Sequence, residues 1–235
     1  SELEETLKRL KETNKRLLKK VKELVDESLR LNEELLRRLR EVIRKIKETI
    51  KEVLEEGVDE KDIRKAEEIL DDVLRKLEKL VRDSVRVNET VLKEVEDIIR
   101  RSLTELDKVA ERLKEAKSEK VVKDVLKEVI DRNEEIVEEL LERIRRVLED
   151  DLRIVKEILD ILRKVLKEIL KVLEEIVDED ERVDELRKRI RKTEEEIEDI
   201  KRRYEKRVRE LKETLDRIVK ELRDRYKKIR EEIDT

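Results

Sequence analysis

The sequence predicts an all-α protein, an antiparallel up-down-up-down four-helix bundle with long helices of ~55 residues and coiled-coil-like packing. Three observations carry this. Charged residues make up 56% of the 235 residues and apolar ones 36%, a composition typical of long helices rather than average globular domains. Proline is absent and Gly57 is the only glycine, so helix breakers are nearly missing. The apolar residues, almost all Leu, Ile and Val, recur at steps of three and four from end to end. That periodicity also separates the chain from disordered, charge-rich sequences, as does a net charge of only −4.

The first helix is expected over about 2–56. Its seam runs through 3, 7, 10, 14, 17, 21, 24, 28, 31, 35, 39, 42, 46, 50 and 53. Two successive steps of four, at 31–35–39, form a stutter that relaxes left-handed supercoiling. Ser1 and Glu4 make a capping box at its start. Gly57 suits the left-handed position after its end, and Asp59 the N-cap of the next helix, with Val58 and Ile63 as a hydrophobic staple. The second helix, about 59–116, has its seam at 63, 66, 70, 73, 77, 80, 84, 87, 91, 95, 98, 102, 106, 109, 113 and 116. Ser118 is the expected N-cap of the third, about 119–177, where the apolar stripe is wider. The acidic run Asp178 to Glu181 favours a new helix N-terminus and a fourth helix over about 181–234. The competing reading is one continuous helix through 178–181, since Ile176 to Val183 keeps the heptad phase. The fourth stripe is narrow. Junctions this short make sequential helices antiparallel neighbours, so the whole chain, 1–235, is expected to be a single bundle, a rod roughly 80 Å long.

Polar residues on the seams are the candidate site. In an antiparallel hairpin, residues at one level are centred on the loop. Asn14 with Ser102, Ser28 with Asn88, and Asn32 with Ser84 all centre on residue 58. Ser102 with Asn133 centres between 117 and 118, and Asn133 with Tyr226 between 179 and 180, each inside a proposed junction. Asn14, Ser102, Asn133 and Tyr226 therefore fall in one layer. Ser28, Asn32, Ser84 and Asn88 form a second, which Asp151 joins, with Arg207 or Arg209 nearby and Thr90 and Thr214 as extensions. A buried polar group without a partner costs about 1–3 kcal/mol, and grouping at one height is how such residues find partners. The expected role is structural, a hydrogen-bond network that fixes register and helix pairing, because no nucleophile–base pair is present.

Composition excludes most chemistry. Cys, His, Met, Trp, Phe, Pro and Gln are all missing. Without Cys or His there is no disulfide, thiolate nucleophile, zinc–sulfur site or imidazole base. One glycine cannot build a phosphate-cradling loop. No catalytic, cofactor-binding or metal-binding residue, and no cofactor, is expected. The pairs and runs Glu134-Glu135 and Glu194-Glu195-Glu196 read as solvated faces among 68 acidic residues. The basic run Arg187-Lys188-Arg189 with Arg191-Lys192 lacks an aromatic platform and is followed by acid, so nucleic acid is not an expected partner. The helices lack aromatic anchors and a basic bias for a membrane surface, and no ~18-residue apolar run spans a bilayer. The start SELEETLKRL has no signal-peptide core, and the missing initiator Met suggests a trimmed N-terminus. A soluble chain, cytoplasmic when expressed, follows.

The absent residue types, the three alanines Ala66, Ala110 and Ala116, and the repeated blocks Glu27-Ser28-Leu29-Arg30-Leu31-Asn32 and Asp83-Ser84-Val85-Arg86-Val87-Asn88 give the chain a distinctive style. In this it resembles computationally (de novo) designed helical bundles with buried hydrogen-bond networks. The resemblance covers all 235 residues and rests on style rather than a diagnostic motif. It implies a scaffold, or a partner, switch or subunit of a designed assembly, without catalytic activity. A spectrin-like or BAR-like natural domain would use Met, Gln, His and aromatics freely.

The expected function is therefore that of a monomeric designed scaffold with no natural biochemical activity, not an enzyme, whose polar layers specify pairing and register. No partner is required. The alternative is a protein-interaction component, using a designed partner or self-association through the wide apolar face of helix 3. That face carries Ile154, Ile161, Leu170 and Val177, together with Leu159, Leu166 and Leu173.

Overall fold

A computed structural model describes residues 2–54, 59–177 and 180–234. They form a four-helix bundle: α1 Glu2–Leu54, α2 Glu60–Lys114, α3 Glu119–Ile176 and α4 Asp180–Asp234. No strand occurs among the described residues. The termini follow local chemistry. Asp59 caps α2: its Oδ1 accepts from the Lys61 N–H at 3.3 Å, and its carbonyl from Asp62 at 3.0 Å. α2 ends in i→i+3 bonds from Glu115 to Arg112 and Ala116 to Leu113, and the Ser118 carbonyl accepts from Val122 to start α3. Val177 already stands outside a helix, so α3 and α4 are separate elements. The expected roles of Ser1, Gly57, Val58, Asp178 and Glu179 lie outside the described residues.

The chain divides into two compact units, each taking a stretch of every helix. The first comprises the helix 1 stretch up to Ser28, Val87–Leu148, and the helix 4 stretch from Arg209 onward. The second comprises Leu29–Arg86 and Glu149–Val208. Ion pairs within each unit give the helix order. In the first, Lys11–Asp107 and Lys22–Glu96 join α1 to α2, Arg9–Glu232 and Lys20–Glu221 join α1 to α4, and Arg223–Glu138 joins α4 to α3. In the second, Arg40–Glu78 and Lys47–Asp71 join α1 to α2, Lys45–Glu196 and Arg189–Glu52 join α1 to α4, and Arg163–Glu198 joins α3 to α4. Within the α1–α2 and α1–α4 sets, and between α3 and α4 with Arg230–Asp131 and Lys156–Glu205 added, the numbers rise on one helix as they fall on the other, which makes these neighbours antiparallel. Such exposed pairs contribute little individually, so burial of the stripes is the main stabilising term.

The α1 seam is buried as expected from Leu7 to Val53, and α4 buries a single narrow line from Leu186 to Ile233. On α2 the burial departs from the expected seam. Val81, Asn88 and Ile99 are buried, while Leu80 and Val87 are 38% and 54% exposed. Leu70, Leu77, Ser84 and Val91 set the middle of the buried face. At 100° per residue Val81 and Leu80 stand on opposite sides of that middle, as do Asn88 and Val87, and the fold buries the Val81 and Asn88 side while leaving the Leu80 and Val87 side exposed. On α3, Leu159, Leu166, Leu173 and Val177 are buried, and Ile154, Ile161 and Leu170 are half-buried.

Candidate functional site: buried polar clusters

The first unit contains a closed hydrogen-bond ring drawn from all four helices. Asn14 on α1, Ser102 on α2, Asn133 on α3 and Tyr226 on α4 are all buried. The two asparagine amides face each other: Asn14 Nδ2 donates to Asn133 Oδ1 at 3.2 Å, and Asn133 Nδ2 to Asn14 Oδ1 at 3.1 Å. Asn133 Nδ2 also donates to the Tyr226 hydroxyl at 2.5 Å, which donates to Asn14 Oδ1 at 2.7 Å. Asn14 Nδ2 donates to Ser102 Oγ at 3.4 Å, and Ser102 Oγ donates to Asn133 Oδ1. Two amides, one serine and one tyrosine own six donor hydrogens, and six bonds use them all. Burial pushes the Tyr226 phenol up from its ordinary value. The charge of Glu134 adds to the rise and Arg230 opposes it.

Ser28 and Asn88 also belong to the first unit. Asn88 Nδ2 donates to Ser28 Oγ at 3.5 Å, and both side chains are buried. The second unit holds Asn32, Ser84 and Asp151. Asn32 and Ser84 share a level by the centring argument, yet each bonds to a different helix. Ser84 Oγ donates to Asp151 Oδ1 at 2.5 Å. Asn32 Oδ1 accepts from the Tyr204 hydroxyl at 2.6 Å, and Asn32 Nδ2 has no partner among the described residues. Burial pushes the Tyr204 phenol up, and the charge of Asp151 pushes it further.

The group on α4 near Asp151 is therefore a tyrosine and not the expected arginine. Arg207 is exposed and pairs with Glu34, and Arg209 is exposed. Arginine carries a charge that water holds at the surface, while the tyrosine ring fills core volume and brings one hydroxyl with it. Tyr204 was not among the residues expected in either polar layer. The signal was present: Asn14 with Tyr226 and Asn32 with Tyr204 centre within two residues of each other, as an antiparallel α1–α4 pair requires. Thr90 and Thr214 are exposed. Thr214 bonds back to its own helix at the Glu210 carbonyl.

The other candidates sit on the surface. Glu134 pairs with Arg230 and Glu196 with Lys45. In the basic run, Arg187 pairs with Glu174 at 2.6 Å and Arg189 with Glu52 at 2.5 Å, so neighbouring carboxylates already hold two of its charges. The Arg187 guanidinium holds the Glu174 carboxyl below the usual range. Among the described residues no group of three acidic side chains is placed to hold a metal ion, and no helix is long and apolar enough to cross a membrane. No protein-family model matches the chain, and comparison with curated proteins and with solved structures finds no match.

Proposed function

We propose that the chain is a computationally designed structural scaffold, not an enzyme and without a natural biochemical activity, whose buried polar clusters specify which helices pair and in what register. One observation carries the reading: the ring of Asn14, Ser102, Asn133 and Tyr226 satisfies all of its own donors. A site built to act on a ligand leaves donors facing that ligand, and this ring keeps no free donor. The composition supports the same reading, since seven residue types, several of them the usual catalytic and ligating ones, are missing. A shifted helix would strand the ring's amides at about 1–3 kcal/mol per unpaired group, whereas an all-leucine seam tolerates sliding.

The test is a fully apolar replacement, Asn14→Leu, Ser102→Ala, Asn133→Leu and Tyr226→Phe together, compared with each single change. The combined variant is expected to cost far less than the sum of the singles, since distant independent sites would add within about 0.5 kcal/mol. It should keep its helicity and lose the single set of sharp amide resonances, because several registers become equivalent. Additive costs with an unchanged spectrum would overturn the reading. A second reading, an interaction component, is favoured by one surface, the flank shared by α2 and α3.

A further inference from the structure

The ring of Asn14, Ser102, Asn133 and Tyr226 draws a polar side chain from every helix. The pair Ser28 and Asn88, also in the first unit, draws from α1 and α2 only. Both side chains are buried, Ser28 5% and Asn88 2% exposed. A cavity of about 10 Å³ lies beside them. They share its wall with Val91 of α2 and with Ile144, Val147 and Leu148 of α3, none of which carries a polar side-chain atom. The direct bond of the pair, from Asn88 Nδ2 to Ser28 Oγ, is 3.5 Å long, whereas N–H···O bonds cluster at about 2.9–3.0 Å. Two buried polar side chains therefore meet at the limit of hydrogen-bond range, with a small space next to both.

Size and lining together identify the occupant. One water molecule needs about 10–15 Å³ of such space and two to four polar partners. A wholly apolar void stays dry, but a carboxamide and a hydroxyl form part of this wall. None of the residues that line the cavity is charged, so an ion would lack a counter-charge there, and a larger solute does not fit. We propose that the cavity binds a single internal water molecule, which bridges Asn88 and Ser28. The water donates one hydrogen to Asn88 Oδ1 and the other to Ser28 Oγ, which still accepts from Asn88 Nδ2. A carboxamide oxygen accepts two bonds, so the water adds to whatever else Asn88 holds. The bridge supplements one stretched contact with two of ordinary length, and a bridging water is enthalpically nearly as good as a direct bond. Held between three helices, it exchanges more slowly than surface hydration.

The inference does not depend on what the chain is for, and its test uses the full chain in solution. Oxygen-17 magnetic relaxation dispersion counts long-lived water molecules and is blind to hydroxyl protons. The parent is compared with a Ser28→Ala, Asn88→Leu variant, which removes both polar partners and leaves the Asn14 ring untouched. The dispersion amplitude should fall by one water in the variant, with circular dichroism as the control for folding. A second measurement needs the parent alone. The methyl protons of Val91, Ile144 and Leu148 are buried, so nuclear Overhauser effects from them to water, with the sign of slow exchange, report water inside the core. These effects should be present in the parent, and they decide the matter if the variant does not fold. A dispersion amplitude unchanged in the folded variant, or buried methyls without an effect to water, would each overturn the proposal.

Discussion

In the first unit, Asn14, Ser102, Asn133 and Tyr226 offer six donor hydrogens and spend all six on one another, without a formal charge in the ring. In the second unit the same residue types make separate contacts. Tyr204 bonds to Asn32, Ser84 bonds to Asp151, the Asn32 amide nitrogen has no partner among the described residues, and a carboxylate is buried. The ring and the second unit's cluster each hold four buried polar groups, one of them a tyrosine. What differs is closure. A closed ring makes every member depend on the others, since removing one strands the rest in a low-dielectric interior. An open set fails piece by piece.

Asparagine replacement separates the two regimes most sharply. Asn133 takes part in four of the six bonds of its ring, so Asn133→Leu should cost about 3 kcal/mol by stranding groups on three helices. Asn32→Leu strands one hydroxyl and removes an amide nitrogen that was itself unpartnered, so its cost should be no more than about 1 kcal/mol. Denaturant midpoints of the two variants, at unchanged slope, check the difference. Equal costs would mean that closure does not matter.

The levels of this site were legible in the sequence because helix geometry is rigid. Junctions recognisable from Asp59 and Ser118 fix the hairpin centres, and Ser102–Asn133 and Ser84–Asp151 then follow by counting. Two things were not legible. Counting assigns a level but not a neighbour, so Asn32 and Ser84 were set together although each turns to another helix. And where two apolar residues are adjacent, as at Leu80-Val81, a stripe drawn by steps of three and four cannot tell core from flank. Leu80 and Val81 stand on opposite sides of the stripe, so which side turns inward depends on the neighbouring helices, and Leu80 and Val87 were expected inside.

Alkaline titration probes both units. Tyr204 and Tyr226 each keep their protons to higher pH in the fold than in the unfolded chain, chiefly through burial. The native state then binds more protons than the unfolded state above about pH 10, so stability is complete below that value and falls as pH rises. The slope should approach about 1.4 kcal/mol per pH unit for each tyrosine. Tyr204→Phe and Tyr226→Phe should each remove one tyrosine's share, measured as unfolding midpoints against pH with tyrosinate absorbance recorded in parallel. A Phe variant whose alkaline slope matched the parent would show that its tyrosine is not held neutral.

Asp151→Asn is a finer cut. The amide oxygen can still accept from Ser84, and the charge beside Tyr204 disappears. Stability should change by less than about 1 kcal/mol, because the loss of a charge-assisted bond is offset by relief of carboxylate burial. The Tyr204 phenol should ionise at lower pH than in the parent, since Asp151 is one of the two causes of its rise, and Tyr226 should be unmoved. Ring resonances of the two tyrosines, followed through the titration, report both at once. A shift of both, or of neither, would contradict the assignment of Asp151 to Tyr204.

The smallest expected effect is none at all. The chain has no histidine, so no side chain has an ordinary pKa between about pH 6 and 9. Lysine and arginine remain charged there and surface carboxylates remain ionised, so melting temperature and helicity should be flat across that window. The first unit has nothing in its ring to disturb this, since amides, a serine and a high-ionising phenol do not titrate below it. The second unit differs by one group: Asp151, 4% exposed, is the buried carboxylate of the described core. A slope between pH 6 and 9 would require a carboxyl that holds its proton into that range. The comparison of the two units then becomes a measurement. Thermal melts of the parent and of Asp151→Asn should superimpose in shape across the window. If the parent slopes and the variant is flat, the open cluster titrates and the closed ring does not. A slope that survives in Asp151→Asn would come from elsewhere in the chain and would break the contrast between the units.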